Sequence, residues 1–305
     1  MIDGTETGVF TIAVTPFLPD GSLDLDSLDR VTDFYLEKGA TGLTILGMMG
    51  EAGKLSAAEA ISVVRRVTAR AGVPVIVGVS AAGLAPMKAL ADEAMEAGAA
   101  GAMVAPPWTL QTDDQILGYY RNVANALGEI PFVLQDFPQA TGVQIAPSVI
   151  LRIVEDCPTC VMLKHEDWPG LDKISTLRAA SQAGSRRISI LCGNGGLFLP
   201  EEMERGADGA MTGFSYPEMM AQVIEAHTAG DKARALDIFD AYLALVRYEL
   251  QPGLGLAIRK FILAERGAIA SPTLRAPGAG LRPEAVAEVT RLIARQKVKL
   301  AALDL

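Results

Sequence analysis

Short apolar runs recur along the chain with turn residues at both ends. They fall at residues 9–14, 42–46, 75–79, 102–105, 132–135, 161–164, 188–192 and 209–212. Each is too short for a helix and continuous rather than alternating, the pattern of a strand buried on both faces. Between the runs the spacing changes. Residues 25–38 carry Leu28, Val31, Phe34 and Tyr35 at the intervals of one helical face. Residues 56–70 open on Ser-Ala-Ala-Glu and continue with Ile61, Val64 and Val67. The opening is a capping-box pattern, in which serine and glutamate side chains satisfy the first free N–H groups. Residues 85–97, 113–127, 147–155 and 169–183 predict further helices. Gly39, Gly72, Gly98 and Gly184 stand where four helices should stop.

Strands alternating with helices predict a parallel sheet covered on both faces. Eight such units are what a (β/α)8 TIM barrel requires. An open doubly wound sheet is the alternative, but no Gly-x-Gly-x-x-Gly follows the first run. After residue 230 the texture becomes helical, over 231–250, 253–266 and 283–302, with a Pro/Gly-rich link at 271–283. The chain therefore divides into a barrel, residues 1–230, and a C-terminal helical extension, residues 231–305. No linker composition separates them, so one body is expected.

Composition narrows the function. Half of the 305 residues are apolar, enough for a large core. The net charge of −9, with no basic run, speaks against nucleic acid as a partner. No apolar run reaches the ~18 residues of a membrane span. The first eight residues contain acids and no apolar stretch, unlike a signal peptide. Three cysteines fit a reducing compartment better than a disulfide framework. A cytoplasmic protein acting on a small molecule is the expectation.

A barrel carries its chemistry at the C-terminal ends of its strands. Lys164 closes the sixth run, after Val161-Met162-Leu163. A lysine there is partly desolvated, and burial disfavours the ammonium form. A neutral amine adds to ketones and forms a Schiff base. The plainer alternative is a lysine that reaches back to water or pairs with Glu166. Glu166 lies two residues on, and positions i and i+2 of an extended chain face the same way. The two therefore offer an amine and a general base in one place, or an ordinary ion pair. His165 should face the other way and be structural. Cys157-Pro158-Thr159-Cys160 precedes a strand, the wrong side for a redox motif, and zinc would need two further ligands. No metal site is expected. Gly193-Asn194-Gly195-Gly196 follows the seventh run, where barrels often hold phosphate, though a tight turn explains it equally. Residues 47–51, after the second run, either hold a carboxylate on backbone N–H groups or form an ordinary turn.

Several of these segments together resemble the dihydrodipicolinate synthase / N-acetylneuraminate lyase superfamily of Schiff-base aldolases and dehydratases. Gly8-Val9-Phe10 with Thr15-Pro16-Phe17 is similar to its opening strand. Residues 47–51 are similar to its Gly-Thr-Thr-Gly-Glu turn, and Pro138 with Thr141-Gly142 to its segment after strand five. Leu163-Lys164 stands where the Schiff-base lysine belongs, and Gly193-Asn194-Gly195-Gly196 and Gly206-Ala207-Asp208-Gly209 match its late turns. The resemblance implies a TIM barrel, a homotetramer or homodimer, a 2-keto acid substrate bound covalently to Lys164, and no other cofactor.

The departures are specific. Synthases and lyases of this superfamily place a tyrosine where this chain has Gln135. The synthases' relay threonine is Met48, their second tyrosine is Thr109, and their arginine before Thr-Gly is Ala140. Glutamine and methionine do not relay protons at neutral pH. Gln135-Asp136-Phe137-Pro138 with Lys164-x-Glu166 resembles instead the 2-keto-3-deoxy-L-arabonate dehydratase branch, as do Gln251-Pro252-Gly253 and residues 267–271. By that resemblance Lys164 attacks the C2 ketone, Glu166 removes the C3 proton and the C4 hydroxyl leaves. Gln135 binds a substrate hydroxyl. Met48 and Met49, beside Gly47, hold the carboxylate on backbone N–H groups, and Gly193, Asn194, Ser80 and Thr212 complete the expected site. A pyruvate-dependent aldolase and a non-catalytic binding barrel are the alternatives.

Overall fold

The computed structural model describes residues 1–168 and 170–305. Its centre is a closed sheet of eight parallel strands paired in chain order. They are β1 (Gly8–Ile12), β2 (Gly42–Ile45), β3 (Val75–Gly78), β4 (Gly101–Val104), β5 (Phe132–Asp136), β6 (Cys160–His165), β7 (Ser189–Cys192) and β8 (Gly209–Ala210). The ring closes through Gly8 opposite Gly209 and Val9 opposite Ala210. The protein is a TIM barrel with C-terminal helices.

Helices α1 (Leu25–Glu37), α2 (Ala57–Ala71), α3 (Leu84–Glu96) and α4 (Asp113–Leu127) follow the first four strands. After β5 come a single turn, α5 (Pro138–Thr141), and α6 (Pro147–Asp156). Helices α7 (Leu171–Gln182), α8 (Leu199–Glu204) and α9 (Pro217–Thr228) complete the outer ring. The capping box of α2 forms between Ser56 and Glu59, and α4 has its own between Thr112 and Gln115. The helix expected over 169–183 is α7; its expected first residue, Pro169, lies outside the described residues. Helices α8 and α9 are not among those the spacing predicts. Six residues are too few to show a period in α8. The eighth strand is shorter than the apolar run 209–212, although Met211 still donates to the Cys192 carbonyl.

Side chains alternate across the sheet. Phe10, Ile12, Ile76, Met103, Val133, Met162, Leu191 and Met211 fill the barrel interior. Their neighbours Leu43, Val77, Val104, Leu134, Leu163 and Ile190 face outward, into a core shared with Val31, Val64, Tyr120, Ile150, Ile174 and Val223 of the helices. Gly42 leaves room for the Phe10 ring, since a Cβ there would meet Phe10 Cζ at 2.7 Å.

The extension consists of α10 (Lys232–Glu249), α11 (Gly255–Glu265) and α12 (Pro283–Ala301). Ile238, Phe239, Tyr242, Leu245, Ile258, Ile262 and Leu263 join the same outer core as the barrel helices. The extension is thus continuous with the barrel body, and the link from α10 to α11 reaches the rim where the strands end.

Candidate active site

The strand alternation decides which side chains meet at that rim. On β6, Met162 and Lys164 point inward while Leu163 and His165 point outward. The β5–β6 register sets Gln135 beside Lys164. Glu166 stands just past β6, and its N–H still donates to the Asp136 carbonyl over 2.9 Å. It therefore keeps the strand's alternation and faces the same way as Lys164. Lys164 Nζ lies 2.9 Å from Glu166 Oε2. Gln135 Nε2 donates to that same oxygen over 2.8 Å. All three residues are 5% exposed, so the pair sits in a largely desolvated floor rather than in bulk water.

Above this floor is a cavity of about 450 Å³. Lys164, Glu166, Gln135, Gly47, Met48, Met49, Asn194 and Thr212, all candidates from the sequence, line it. Ser80 and Gly193 do not. Ser80 is exposed, and its Oγ accepts the Ala105 N–H over 2.8 Å, which ties the loop after β4. Gly193 serves the site differently from the wall position expected of it. A Cβ there would lie 2.7 Å from both Cδ and Oε1 of Glu166. Its missing side chain is the space that the Glu166 carboxylate occupies. His165 is buried behind the strand, with Nε2 3.1 Å from the Gly170 carbonyl.

The loops around the cavity are fixed by internal bonds. After β2, residues Met48–Gly50 form one 3-10 turn, closed by Gly50 N–H to Gly47 O and Glu51 N–H to Met48 O, each 3.0 Å. These bonds leave the Met48 and Met49 N–H groups unused by the turn. Glu51 has φ of +53°, unusual for a residue with a side chain. Its carboxylate holds it there: Oε1 meets Lys260 Nζ at 2.5 Å, and Oε2 meets Lys54 Nζ at 2.7 Å. Lys260 also donates to the carbonyls of Thr15 and Thr273, over 2.8 and 2.9 Å. Burial pulls the Lys260 pKa below the usual lysine range, and its hydrogen bond to Glu51 opposes that pull. After β7, Gly195 N–H donates to Thr212 Oγ1 over 2.8 Å, joining the last two loops.

Sequence reasoning missed the far wall. Glu249, Leu250, Gln251, Leu256 and Arg259 of the extension line the cavity. Arg259 Nε donates to Glu249 Oε1 over 2.6 Å, and Arg259 Nη2 donates to the Gly213 carbonyl. Glu249 Oε2 accepts from the Ser215 N–H and hydroxyl. The extension thereby fixes the loop after β8. The available signal was Gln251-Pro252-Gly253, a break between two predicted helices. Phe137 and Gln139, just after β5, complete this side.

The cysteine pair lies at the other end of the barrel. Cys157 follows α6 and Cys160 opens β6, both buried and free. Burial pushes the Cys160 thiol up to about 12. Among the described residues no three metal-ligating side chains converge.

Comparison with known proteins agrees with this geometry. The model of the dihydrodipicolinate synthetase family matches residues 5–296. An L-2-keto-3-deoxyarabonate dehydratase of Azospirillum brasilense is 30% identical over 94% of each chain. A 4-hydroxy-tetrahydrodipicolinate synthase of Synechococcus sp. (strain CC9605) is 32% identical over 78% of this chain and 79% of its own. The crystal structure of a protein named dihydrodipicolinate synthase, from Rhodopseudomonas palustris, superposes with a TM-score of 0.95 at 53% identity. It covers 96% of this chain and 99% of its own. With its closed barrel and a lysine at the end of β6, the chain belongs to the dihydrodipicolinate synthetase family.

Proposed function

We propose that this lyase dehydrates a 2-keto-3-deoxy sugar acid, such as 2-keto-3-deoxy-L-arabonate, through a Schiff base on Lys164. The observation that carries the proposal is the desolvated triad of Lys164, Glu166 and Gln135, with one carboxylate oxygen touching both partners. Lys164 Nζ, as the free amine, adds to the C2 carbonyl, and loss of water gives a protonated imine. The imine acidifies the C3 proton, and Glu166 takes it. The electron pair of that bond forms the enamine, which expels the C4 hydroxyl. Glu166 returns its proton to the leaving oxygen, and water departs. Hydrolysis of the unsaturated imine then frees Lys164.

The surroundings support a polyhydroxylated substrate. Gln135, Gln139, Asn194 and Gln251 face the cavity, and amides both donate to and accept from hydroxyls. The unused N–H groups of Met48 and Met49 suit the substrate carboxylate, because backbone donors do not depend on the side chain. The A. brasilense relative, matched along nearly its whole length, bears the name of such a dehydratase. The proposed reaction takes a 2-keto acid as partner and needs no metal or organic cofactor. A homotetramer or homodimer in the cytoplasm is the accompanying expectation.

A second possibility is carbon–carbon bond chemistry with pyruvate, favoured by the synthase name that the R. palustris protein bears. Against it stands Gln135, whose amide does not shuttle protons as a phenol does. Borohydride trapping separates the two, read by intact mass and peptide mapping. With 2-keto-3-deoxy-L-arabonate, a dehydrated adduct carrying all the substrate carbons on Lys164 supports dehydration. A pyruvyl adduct on Lys164 formed from that same sugar acid, with no pyruvate added, supports the aldolase. No adduct with either this substrate or pyruvate removes the Schiff-base function and leaves a binding barrel.

A further inference from the structure

Behind the triad, on the outward face of the same two strands, lies a second polar cluster. Lys173 Nζ sits 2.7 Å from Asp136 Oδ2 and 2.8 Å from Asp167 Oδ2. The lysine side chain is 7% exposed and the Asp136 side chain is fully buried. Lys173 is the third residue of α7. A cation there opposes the helix dipole, which favours negative charge at this end. Two carboxylates in contact explain why a lysine is tolerated.

Each of those carboxylates flanks a group of the floor. Asp136 adjoins Gln135, and Asp167 adjoins Glu166. The strand pairing stops at Asp136 opposite His165, so the backbone beyond Glu166 has no ladder to hold it. Lys173 bridges the ends of the two strand segments one residue beyond each inward-facing group. His165 adds a bond from Nε2 to the Gly170 carbonyl, which closes the same loop. The inward contact of Gln135 with Glu166 is thus matched outside by a brace through Lys173.

We propose that Lys173 is a positioning residue that fixes the Glu166 carboxylate over the Schiff-base carbon chain. The inference rests on the assignment of Glu166 as the base. Its test needs no sugar acid. Pyruvate forms an imine with Lys164, Glu166 removes a methyl proton, and in D2O a deuteron returns, so methyl exchange reads the proton transfer alone. Exchange is followed by proton NMR in the full-length enzyme and divided by the fraction of Lys164 trapped by borohydride.

Lys173→Met is expected to keep trapping by pyruvate, to change the half-saturating pyruvate concentration less than about twofold, and to slow exchange per trapped site about tenfold or more. Lys173→Arg should recover most of the rate, because it restores both ion pairs. Should Lys173→Met fail to fold, Asp167→Asn removes one arm of the brace from a more exposed position and should slow exchange about threefold. Unchanged exchange per trapped site in either folded variant overturns the positioning role. Loss of trapping in folded Lys173→Met also overturns it, since the effect then lies on Lys164. No trapping or exchange in the wild type removes the Schiff-base assignment itself, and this proposal with it.

Discussion

Gly193 and Glu166 contend for one volume. A methyl group on Gly193 would sit 2.7 Å from the carboxyl carbon of Glu166, well inside van der Waals contact. The buried carboxylate would move by about an ångström, and a displacement of that size costs roughly 100-fold in rate. Gly193→Ala is therefore expected to lower kcat about 100-fold while Lys164 still traps pyruvate. Steady-state kinetics beside borohydride trapping checks both halves. An unchanged kcat would show that Glu166 has slack the geometry does not suggest.

Gln135 and Glu166 give a graded pair of variants. Glu166→Gln removes the proposed base and should cost about 10²–10⁴-fold in kcat. Gln135→Leu keeps the base and removes a 2.8 Å donor from its carboxylate. Without that donor the carboxylate is free to turn away from the substrate, and the lost orientation should cost roughly 10-fold in kcat. The order of severity, Glu166→Gln worse than Gln135→Leu, is what turnover assays should return. The reverse order would remove Glu166 from the role of base and leave Gln135 as the more important contact to substrate.

The barrel was legible because each strand is an apolar run bounded by turn residues, a signal that needs no tertiary context. The floor of the site was legible for the same kind of reason: i and i+2 on a strand share a face, which joined Lys164 to Glu166 and sent His165 outward. The register that adds Gln135 is a contact between strands, and only the resemblance pointed to it. Arg259 and Glu249 were missed because nothing in an amphipathic helix shows that its end folds back over a rim. Gly193 reads from the sequence as a wall residue, whereas its tie to Glu166 is visible only in the structure. A glycine's role lies in the neighbour that fills its empty side, and the sequence does not name that neighbour.

Glu202 makes stability depend on pH. It is buried on α8, its Oε2 has no hydrogen-bond partner among the described residues, and burial pushes its pKa up to about 8. The folded protein then binds more protons than the unfolded chain between the ordinary value of 4.5 and about 8. Stability therefore falls as pH rises through that window. The full difference is on the order of 5 kcal/mol above it. Glu202→Gln carries no such charge. Thermal melts of the two proteins should agree near pH 5, and the variant should melt higher at pH 8.5. Parallel curves across this range would show that Glu202 ionises in the fold without cost.

Lys260 and Glu51 join the extension to the turn after β2. Both side chains are essentially buried, and the lysine has three oxygen partners. Breaking a buried pair costs about 3–5 kcal/mol when the remaining charge is left alone, and Glu51 keeps Lys54 at 2.7 Å, so the lower end of that range, about 3 kcal/mol, is expected for loss of Lys260. Lys260→Met should therefore lower Tm by roughly 10 °C. It should also loosen the turn that offers the Met48 and Met49 N–H groups, so KM should rise more than kcat falls. Glu51→Gln with Lys260→Met removes the carboxylate that has lost its buried partner and keeps only Lys54. Its loss of stability should be smaller than the sum of the single losses, since contacting residues do not add. A double-mutant cycle on Tm and KM tests both statements. Additive losses would mean that the pair holds no turn, and that Glu51 keeps its left-handed backbone by other means.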